Sequence, residues 1–312
     1  MKKTILFFLS IMILFTCIRC DQQATVEEGN VNVILSRGFG NKGLAEKSVK
    51  YSEDLSVMEV MEENFNVETA YGGGFINGID GLKSGFTGVK DKTKMDWFYY
   101  VNGILAQVGA DDYYLNANDS VIWDYHDWSN NIYVSSIIGA YPLNFTNGHE
   151  GNVLNTEILH TKDYKKESEE LSTFLKNKGL ENIAVKNLEN EGLDDVKRNT
   201  IVIGTWNDIN KIDYLKDIYE NGDKTGLFFK IDKNIKALNN KGHMVNEYEK
   251  GSIITSITKE YGLPATIWLV TGNDEESIKR AVKVLYENPE KIKGKFSLIV
   301  TEDEMINIPI KN

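Results

Sequence analysis

The stretch Trp97-Phe98-Tyr99-Tyr100-Val101-Asn102-Gly103-Ile104-Leu105-Ala106 decides the fold of the N-terminal part of this chain. Side chains alternate between the two faces of a strand, so Trp97 and Tyr99 share one face while Phe98 and Tyr100 share the other. The Asn-Gly dipeptide that follows is the strongest signal for a two-residue hairpin turn. The stretch therefore predicts a β-hairpin with aromatic rings on both faces. One such face is enough for a small core, so the other is expected to face outward or toward a neighbouring domain.

The sequence on either side of this hairpin is also rich in short strands. Residues 31–35 and 120–125 predict the first and last strands, and residues 56–61 predict an amphipathic helix with a serine N-cap. Glycines crowd residues 72–88 and indicate turns with positive φ around short strands. These features predict an α+β, β-rich and β-grasp-like domain over residues 30–129.

The pattern changes beyond residue 130. Apolar strands over Thr200–Gly204 and Thr266–Val270 alternate with predicted helices over Asp163–Lys178 and Asp274–Tyr286. Helices that connect successive strands are typical of βαβ units, in which the strands pair in parallel. The sequence therefore predicts a second, α/β domain with a mostly parallel sheet over residues 130–312.

The first 20 residues have the layout of a secretory signal. Positive charge at residues 2–3 precedes an apolar run over residues 5–18, which is shorter than the roughly 20 residues of a spanning helix. The only two cysteines, Cys17 and Cys20, end this run. A signal that ends at a cysteine resembles the lipobox of bacterial lipoproteins, so Cys20 or Cys17 is the predicted lipidation site and residues 21–29 the polar tether. An ordinary cleaved signal with incidental cysteines is the alternative.

Charge narrows the choice of partners and of location. The chain has 35 basic and 46 acidic side chains among 312 residues, which gives a formal net charge of −11. Such a chain is a poor match for nucleic acid or for anionic lipid surfaces.

From the signal and its cysteines, we expect the protein on the outer face of a bacterial cell membrane, attached only through a lipid anchor, or otherwise secreted.

Catalytic and metal-binding motifs are missing from the sequence. None of the four histidines belongs to a His-Glu-x-x-His helix, and neither a Gly-x-Ser-x-Gly elbow nor a phosphate-binding glycine loop occurs. No cysteine follows residue 20, which excludes a thiol nucleophile or a cysteine-rich zinc site in the rest of the chain. The sequence therefore predicts a protein that is not an enzyme and has no metal or cofactor.

Three blocks around the hairpin resemble a known family. Residues 97–103, Gly109-Ala110-Asp111-Asp112-Tyr113-Tyr114-Leu115 and residues 119–125 occur in the order found in the transcobalamin-like C-terminal domain family. Residues 56–64 and 73–81 resemble the helix and the glycine-flanked strand of that domain. The resemblance covers about residues 30–128, with Asn118-Asp119 standing where the family has a Gly-Asp turn. In intrinsic factor and transcobalamin this small β-domain covers one face of cobalamin, so the resemblance implies a corrinoid ligand.

The resemblance also indicates where a ligand would lie. It points to the open side near the glycine-flanked strand and to the turn at residues 111–114. Exposed aromatic rings suit flat or amphipathic ligands such as sugars and tetrapyrroles, whereas the competing interpretation of each ring is a place in the core. The predicted ligand-binding residues are Tyr71, Phe75, Trp97, Tyr99 and Tyr113.

These observations favour an extracellular, membrane-tethered binding protein. Its ligand is expected to be a corrinoid or a glycan, with cobalamin as a ligand and not a cofactor, and a membrane transporter or another surface protein is the expected partner. The alternative is a structural or adhesive protein, similar to surface-layer proteins, that has no small-molecule ligand. An enzyme of the cell envelope is a third and weaker interpretation.

Overall fold

The computed structural model describes residues 29–90, 92–130 and 133–311. The predicted signal, with its two candidate lipidation sites Cys17 and Cys20, lies outside these ranges. Within them, no helix combines the length and the apolar character that crossing a membrane requires.

The N-terminal part consists mainly of short strands, with one α-helix among the described residues. In chain order these elements are β1 (Asn30–Arg37), β2 (Lys42–Lys50), α1 (Val57–Asn64), β3 (Val67–Ala70), β4 (Phe75–Ile79), β5 (Leu82–Lys83), β6 (Met95–Val101), β7 (Ile104–Leu105) and β8 (Ser120–Asp127).

The C-terminal part mixes strands with helices. In chain order its elements are α2 (Leu143–Thr146), β9 (Asn155–His160), α3 (Lys165–Asn177), β10 (Ile183–Asn187), β11 (Arg198–Thr205), α4 (Trp206–Ile209), α5 (Asp213–Glu220), α6 (Gly222–Thr225), β12 (Phe229–Ile231), β13 (Ile235–Leu238), β14 (Met244–Tyr248), β15 (Ser252–Thr258), β16 (Thr266–Gly272), α7 (Glu275–Glu287), β17 (Ser297–Val300) and β18 (Met305–Ile308).

The predicted hairpin forms one side of a five-stranded sheet with the order β2-β1-β8-β6-β7. β1 and β8 pair in parallel at its centre, and the other neighbours are antiparallel. The turn between β6 and β7 has φ of 51° at Asn102 and 84° at Gly103, the two positive values that a type I′ turn requires. Asn118, in the turn before β8, has φ of 67°, which asparagine tolerates better than most residues.

Helix α1 packs on one face of this sheet. Its N-terminus has the predicted cap: the Ser56 hydroxyl accepts from the backbone N–H of Glu59, and the Glu59 carboxylate accepts from the backbone N–H of Ser56. The buried side of the helix, including Val60 and Met61, shares a core with Trp97 and other rings of the sheet. A small sheet, β3-β4-β5, lies beside β6.

The C-terminal part contains a seven-stranded sheet with the order β10-β9-β11-β16-β15-β17-β18. The prediction of a mostly parallel sheet is wrong, because the sheet is mixed. Strands β10, β9, β11 and β16 are parallel, whereas the pairs β16-β15, β15-β17 and β17-β18 are antiparallel. Only residues 259–265 separate β15 from β16, and a parallel connection needs a dozen or more residues, so this pair forms a hairpin.

The two faces of the seven-stranded sheet are covered differently. Helices α3 and α7 cover one face, with Leu171 and Leu285 packed against Ile201 and Trp268. The opposite face shares a second core with the five-stranded sheet, in which Ile34, Tyr100 and Ile122 are buried together with residues of the C-terminal part. The two parts of the chain are therefore packed sheet against sheet.

Candidate ligand-binding groove

An open groove of about 600 Å³ lies at the free edge of β6, and we call it the β6 groove. Strand β7 pairs only with Tyr100 and Val101, so no strand of the described chain adds to β6 from Asp96 to Phe98 on this side. The segment 105–110 and residues 74–76 at the start of β4 form its walls. The aromatic side chains that line the groove are Phe75, Trp97, Phe98, Tyr99, Trp123, Trp128 and Tyr133.

Trp97 and Tyr99 are buried in the core that includes α1, yet both line the β6 groove. The Tyr99 ring stacks on Trp123, the residue opposite it on β8, with 4.7 Å between ring centroids. Its hydroxyl donates to the Val108 carbonyl at 2.6 Å, and the Trp97 indole nitrogen donates to the Leu82 carbonyl at 2.8 Å. Burial raises the pKa of Tyr99, so its hydroxyl stays a neutral donor that fixes the wall of the groove.

Asp96 is the only carboxylate among the residues that line the groove. It is buried and accepts a hydrogen bond from the Trp97 backbone N–H at 3.1 Å. Burial raises the pKa of this carboxyl group, because a low-dielectric environment disfavours its charged form. The groove therefore combines a mostly aromatic surface with one acidic group.

Two indole N–H groups next to the groove lack a partner. The Nε1 atoms of Trp123 and Trp128 are buried, and neither finds an acceptor in the part of the chain that the structure describes. A buried donor without an acceptor costs roughly 1–3 kcal/mol.

Three of the five predicted ligand-binding residues meet in the groove: Phe75, Trp97 and Tyr99. Tyr71 stands beside them, with 81% of its surface exposed and its ring 5.9 Å from that of Phe75. Tyr113 is not among the lining residues and is only 1% exposed.

The Tyr113 hydroxyl instead connects the N-terminal part to the segment that follows α2. It lies within hydrogen-bond distance of Nδ1 of His149, at 2.9 Å, and accepts from the backbone N–H of Glu150 at 3.2 Å. Burial lowers the pKa of His149, because a low-dielectric environment disfavours the charged form of the ring. The contact links the two parts of the chain.

The prediction omitted the acidic Asp96 and four of the aromatic side chains that line the groove: Phe98, Trp123, Trp128 and Tyr133. Trp123 had a usable signal, since it lies on a predicted strand and pairs with Tyr99 across an antiparallel ladder. Trp128 and Tyr133 lie beyond the end of β8, where strand periodicity does not predict the side to which a side chain points. In the described ranges, no cluster of three or more histidine, cysteine, aspartate or glutamate side chains is arranged to hold a metal ion.

Among known protein families, one matches the part of the chain that contains the groove. A profile described as “Domain of unknown function (DUF4430)” matches residues 54–127, a range that includes α1, β6 and β8. No curated protein matches the chain.

Solved structures give two further likenesses. A Ruminococcus gnavus protein described as a “putative metal binding protein” is 18% identical over 32% of this chain and 98% of its own, with a TM-score of 0.25. Haptocorrin in complex with Cbi is 19% identical over 32% of this chain and 26% of its own, with a TM-score of 0.26.

Proposed function

We propose that the protein is an extracellular binding protein and not an enzyme, and that the β6 groove is its ligand site. The observation that carries the proposal is the aromatic lining of an open groove of about 600 Å³. Sites for small molecules usually occupy about 300–1,000 Å³ and combine an apolar lining with a few polar groups. The β6 groove fits this description and favours a flat, largely apolar ligand that carries a few polar groups.

A corrinoid is the ligand class that we favour. The resemblance of residues 97–125 to the transcobalamin-like domain implies it, and the chemistry of the groove is compatible with it. A corrin ring is flat and has amide side chains around its edge. An amide N–H group of the ring is suited to donate to the Asp96 carboxylate. An open groove would cover one face of such a ring.

The finer fold assignment belongs to the same proposal. We infer that the five-stranded sheet and α1 form a β-grasp arrangement. Support comes from the strand order β2-β1-β8-β6-β7, from the central parallel pair β1-β8 and from the single helix across one face.

The place of action that we propose is the outer face of the bacterial membrane, where Cys20 or Cys17 would be lipidated. The order of charge, apolar run and cysteines in residues 1–20 supports this proposal. A tethered protein with an open groove is suited to pass its ligand to a membrane transporter or another surface protein.

A thermal-shift panel tests the proposal. The protein is melted with cobalamin, cobinamide, haem and soluble glycans, because a ligand that binds only the folded state raises the melting temperature by mass action. We expect a dose-dependent rise with the corrinoids. A rise with haem or a glycan alone would replace the corrinoid with another ligand. No rise with any compound would favour the structural, adhesive role.

A further inference from the structure

A second cavity, of about 660 Å³, lies at the end of β8 where the two parts of the chain meet. Its walls come from the β1–β2 turn, the β13–β14 turn and the last described residues. Four cationic side chains line it, whereas Asp127 is the only acidic one. The cations are Arg37, Lys42, Lys241 and Lys311. This local excess of positive charge is opposite in sign to the net charge of the chain, which is −11.

The ion pairs of the described residues leave these four cations aside. In the described ranges none of the four forms an ion pair with a carboxylate. The Asp127 carboxylate accepts from the Ser129 backbone N–H at 2.8 Å and from the Asn240 amide at 3.4 Å. Like charges that lie close together repel one another. An anion bound in this cavity would reduce the repulsion among the four cations and would itself be attracted by them.

A buried histidine adds a fixed polar group to this cavity. His126 lines it and is only 4% exposed, with its ring stacked between Phe39 and Phe98 at centroid distances of 4.2 and 4.4 Å. Its Nδ1 lies 2.8 Å from the Asp124 carboxylate.

The surroundings of Asp124 fix which histidine nitrogen carries a proton. This fully buried carboxylate also accepts from the backbone N–H groups of Phe39 and Gly40 and from the Ser36 hydroxyl. Because a carboxylate in this setting only accepts, Nδ1 of His126 is the donor. Its Nε2 has no hydrogen-bond partner among the described residues and remains available to the cavity.

We propose that this cavity binds a phosphate-bearing small molecule. The Arg37 guanidinium and the lysines face its negative charges, and Nε2 of His126 forms a hydrogen bond to it. Four cations without a paired carboxylate favour a ligand that carries more than one negative charge. A phosphate group supplies nearly two negative charges at neutral pH. Arg37 presents a planar fork of donors that matches phosphate oxygens. The apolar lining, which includes Met95, Tyr125 and Ile310, suits an organic body attached to the phosphate.

Calorimetric titration of the protein with inorganic pyrophosphate at low ionic strength tests this proposal. Binding should be saturable and should weaken as salt rises from about 10 to about 200 mM, because exposed charges are screened. Lys241→Gln and Lys311→Gln should each weaken binding about threefold, as expected for an exposed charge. The double variant should weaken it about tenfold, as two independent contributions would. Lys233→Gln is the matched control, since this exposed lysine lies at the opposite end of β13.

A separate variant tests the role of His126. His126→Asn places an amide donor near the position of Nδ1, which keeps the bond to Asp124 while removing Nε2. It should weaken pyrophosphate binding, and the lysine variants decide the matter if this variant does not fold. Absence of saturable binding, or equal weakening by Lys233→Gln, would overturn the proposal. Tighter binding of citrate than of pyrophosphate would overturn the assignment to phosphate.

Discussion

Strand alternation divides the aromatic side chains of β6 between two cores. Trp97 and Tyr99 point to the side of α1, whereas Tyr100 points to the C-terminal part and packs on Phe296 with 5.5 Å between ring centroids. The rings of the first pair are buried, and only part of each borders the groove. Phe75 is half-buried at the groove wall, so it has more surface to offer a ligand.

This difference predicts opposite effects of two alanine substitutions. Trp97→Ala should lower the free energy of unfolding by roughly 3–5 kcal/mol, because it empties a place in the core. Phe75→Ala should change stability little and weaken corrinoid binding by roughly 1–3 kcal/mol. Chemical denaturation and an equilibrium titration measure the two quantities. Tyr114→Ala, at a ring that is 57% exposed and outside the groove, should leave both unchanged. Equal loss of stability in Phe75→Ala and Trp97→Ala would make Phe75 a core residue.

At the scale of elements, some predictions depended on local chemistry and others on distant contacts. The β6–β7 hairpin and the cap of α1 are set by neighbouring residues, and both were predicted correctly. Strand β2 was not predicted, because most of its residues are exposed and its apolar residues are few. The direction of β15 was missed because strands buried on both faces look alike in sequence, whether parallel or antiparallel.

The contact between Tyr113 and His149 leads us to predict that the free energy of unfolding depends on pH. The folded state lowers the pKa of His149, so its contribution to stability is present above pH 6.5, the usual histidine value, and is lost as pH falls through the lowered value. His149→Asn should therefore reduce the loss of unfolding free energy that the wild type shows on acidification from about pH 7.5 to about pH 5. Denaturant titrations at several pH values measure it.

The matched control is His243→Asn, which alters an exposed histidine in the β13–β14 turn. It should keep the pH dependence of the wild type. Identical pH dependence in the wild type and in His149→Asn would show that the contact with Tyr113 does not couple to protonation.

At the scale of the whole molecule, the boundary near residue 130 joins two parts that share a core. Sequence periodicity predicts two parts, since each has its own pattern of strands and helices. It left open whether the face of β6 that carries Tyr100 is exposed or packs on the C-terminal part, where Tyr100 is buried with Ile34 and Ile122, because burial between two distant sheets leaves no local pattern. The positions of Trp128 and Tyr133 in the groove were unpredictable for the same reason.

Separate fragments test the predicted domain organisation. Residues 29–129 and residues 131–312 should each fold, because each retains a core of its own. The first fragment should also bind a hydrophobic dye more strongly than the intact chain, since separation exposes the apolar face of its sheet. Calorimetric melting measures the cooperativity of each fragment. Cooperative melting of the intact chain alone would show one integrated core instead.

Metabolic labelling tests the proposed tether. A fatty-acid analogue should label the wild-type protein in a bacterial host. The Cys17→Ala/Cys20→Ala variant should lose the label and appear in the medium, because those are the only cysteines in the chain. An unlabelled wild type would leave an ordinary secretory signal as the explanation of residues 1–20.

The central claim is that the β6 groove binds a corrinoid, and an equilibrium titration with cobalamin tests it most directly. Quenching of tryptophan fluorescence reports on the site, because Trp97, Trp123 and Trp128 line the groove. We predict saturable quenching with one cobalamin per chain, binding weakened by roughly 1–3 kcal/mol (about fivefold or more) in Phe75→Ala, and unchanged binding in Tyr114→Ala. Linear, unsaturable quenching that is identical in all three proteins would contradict the claim.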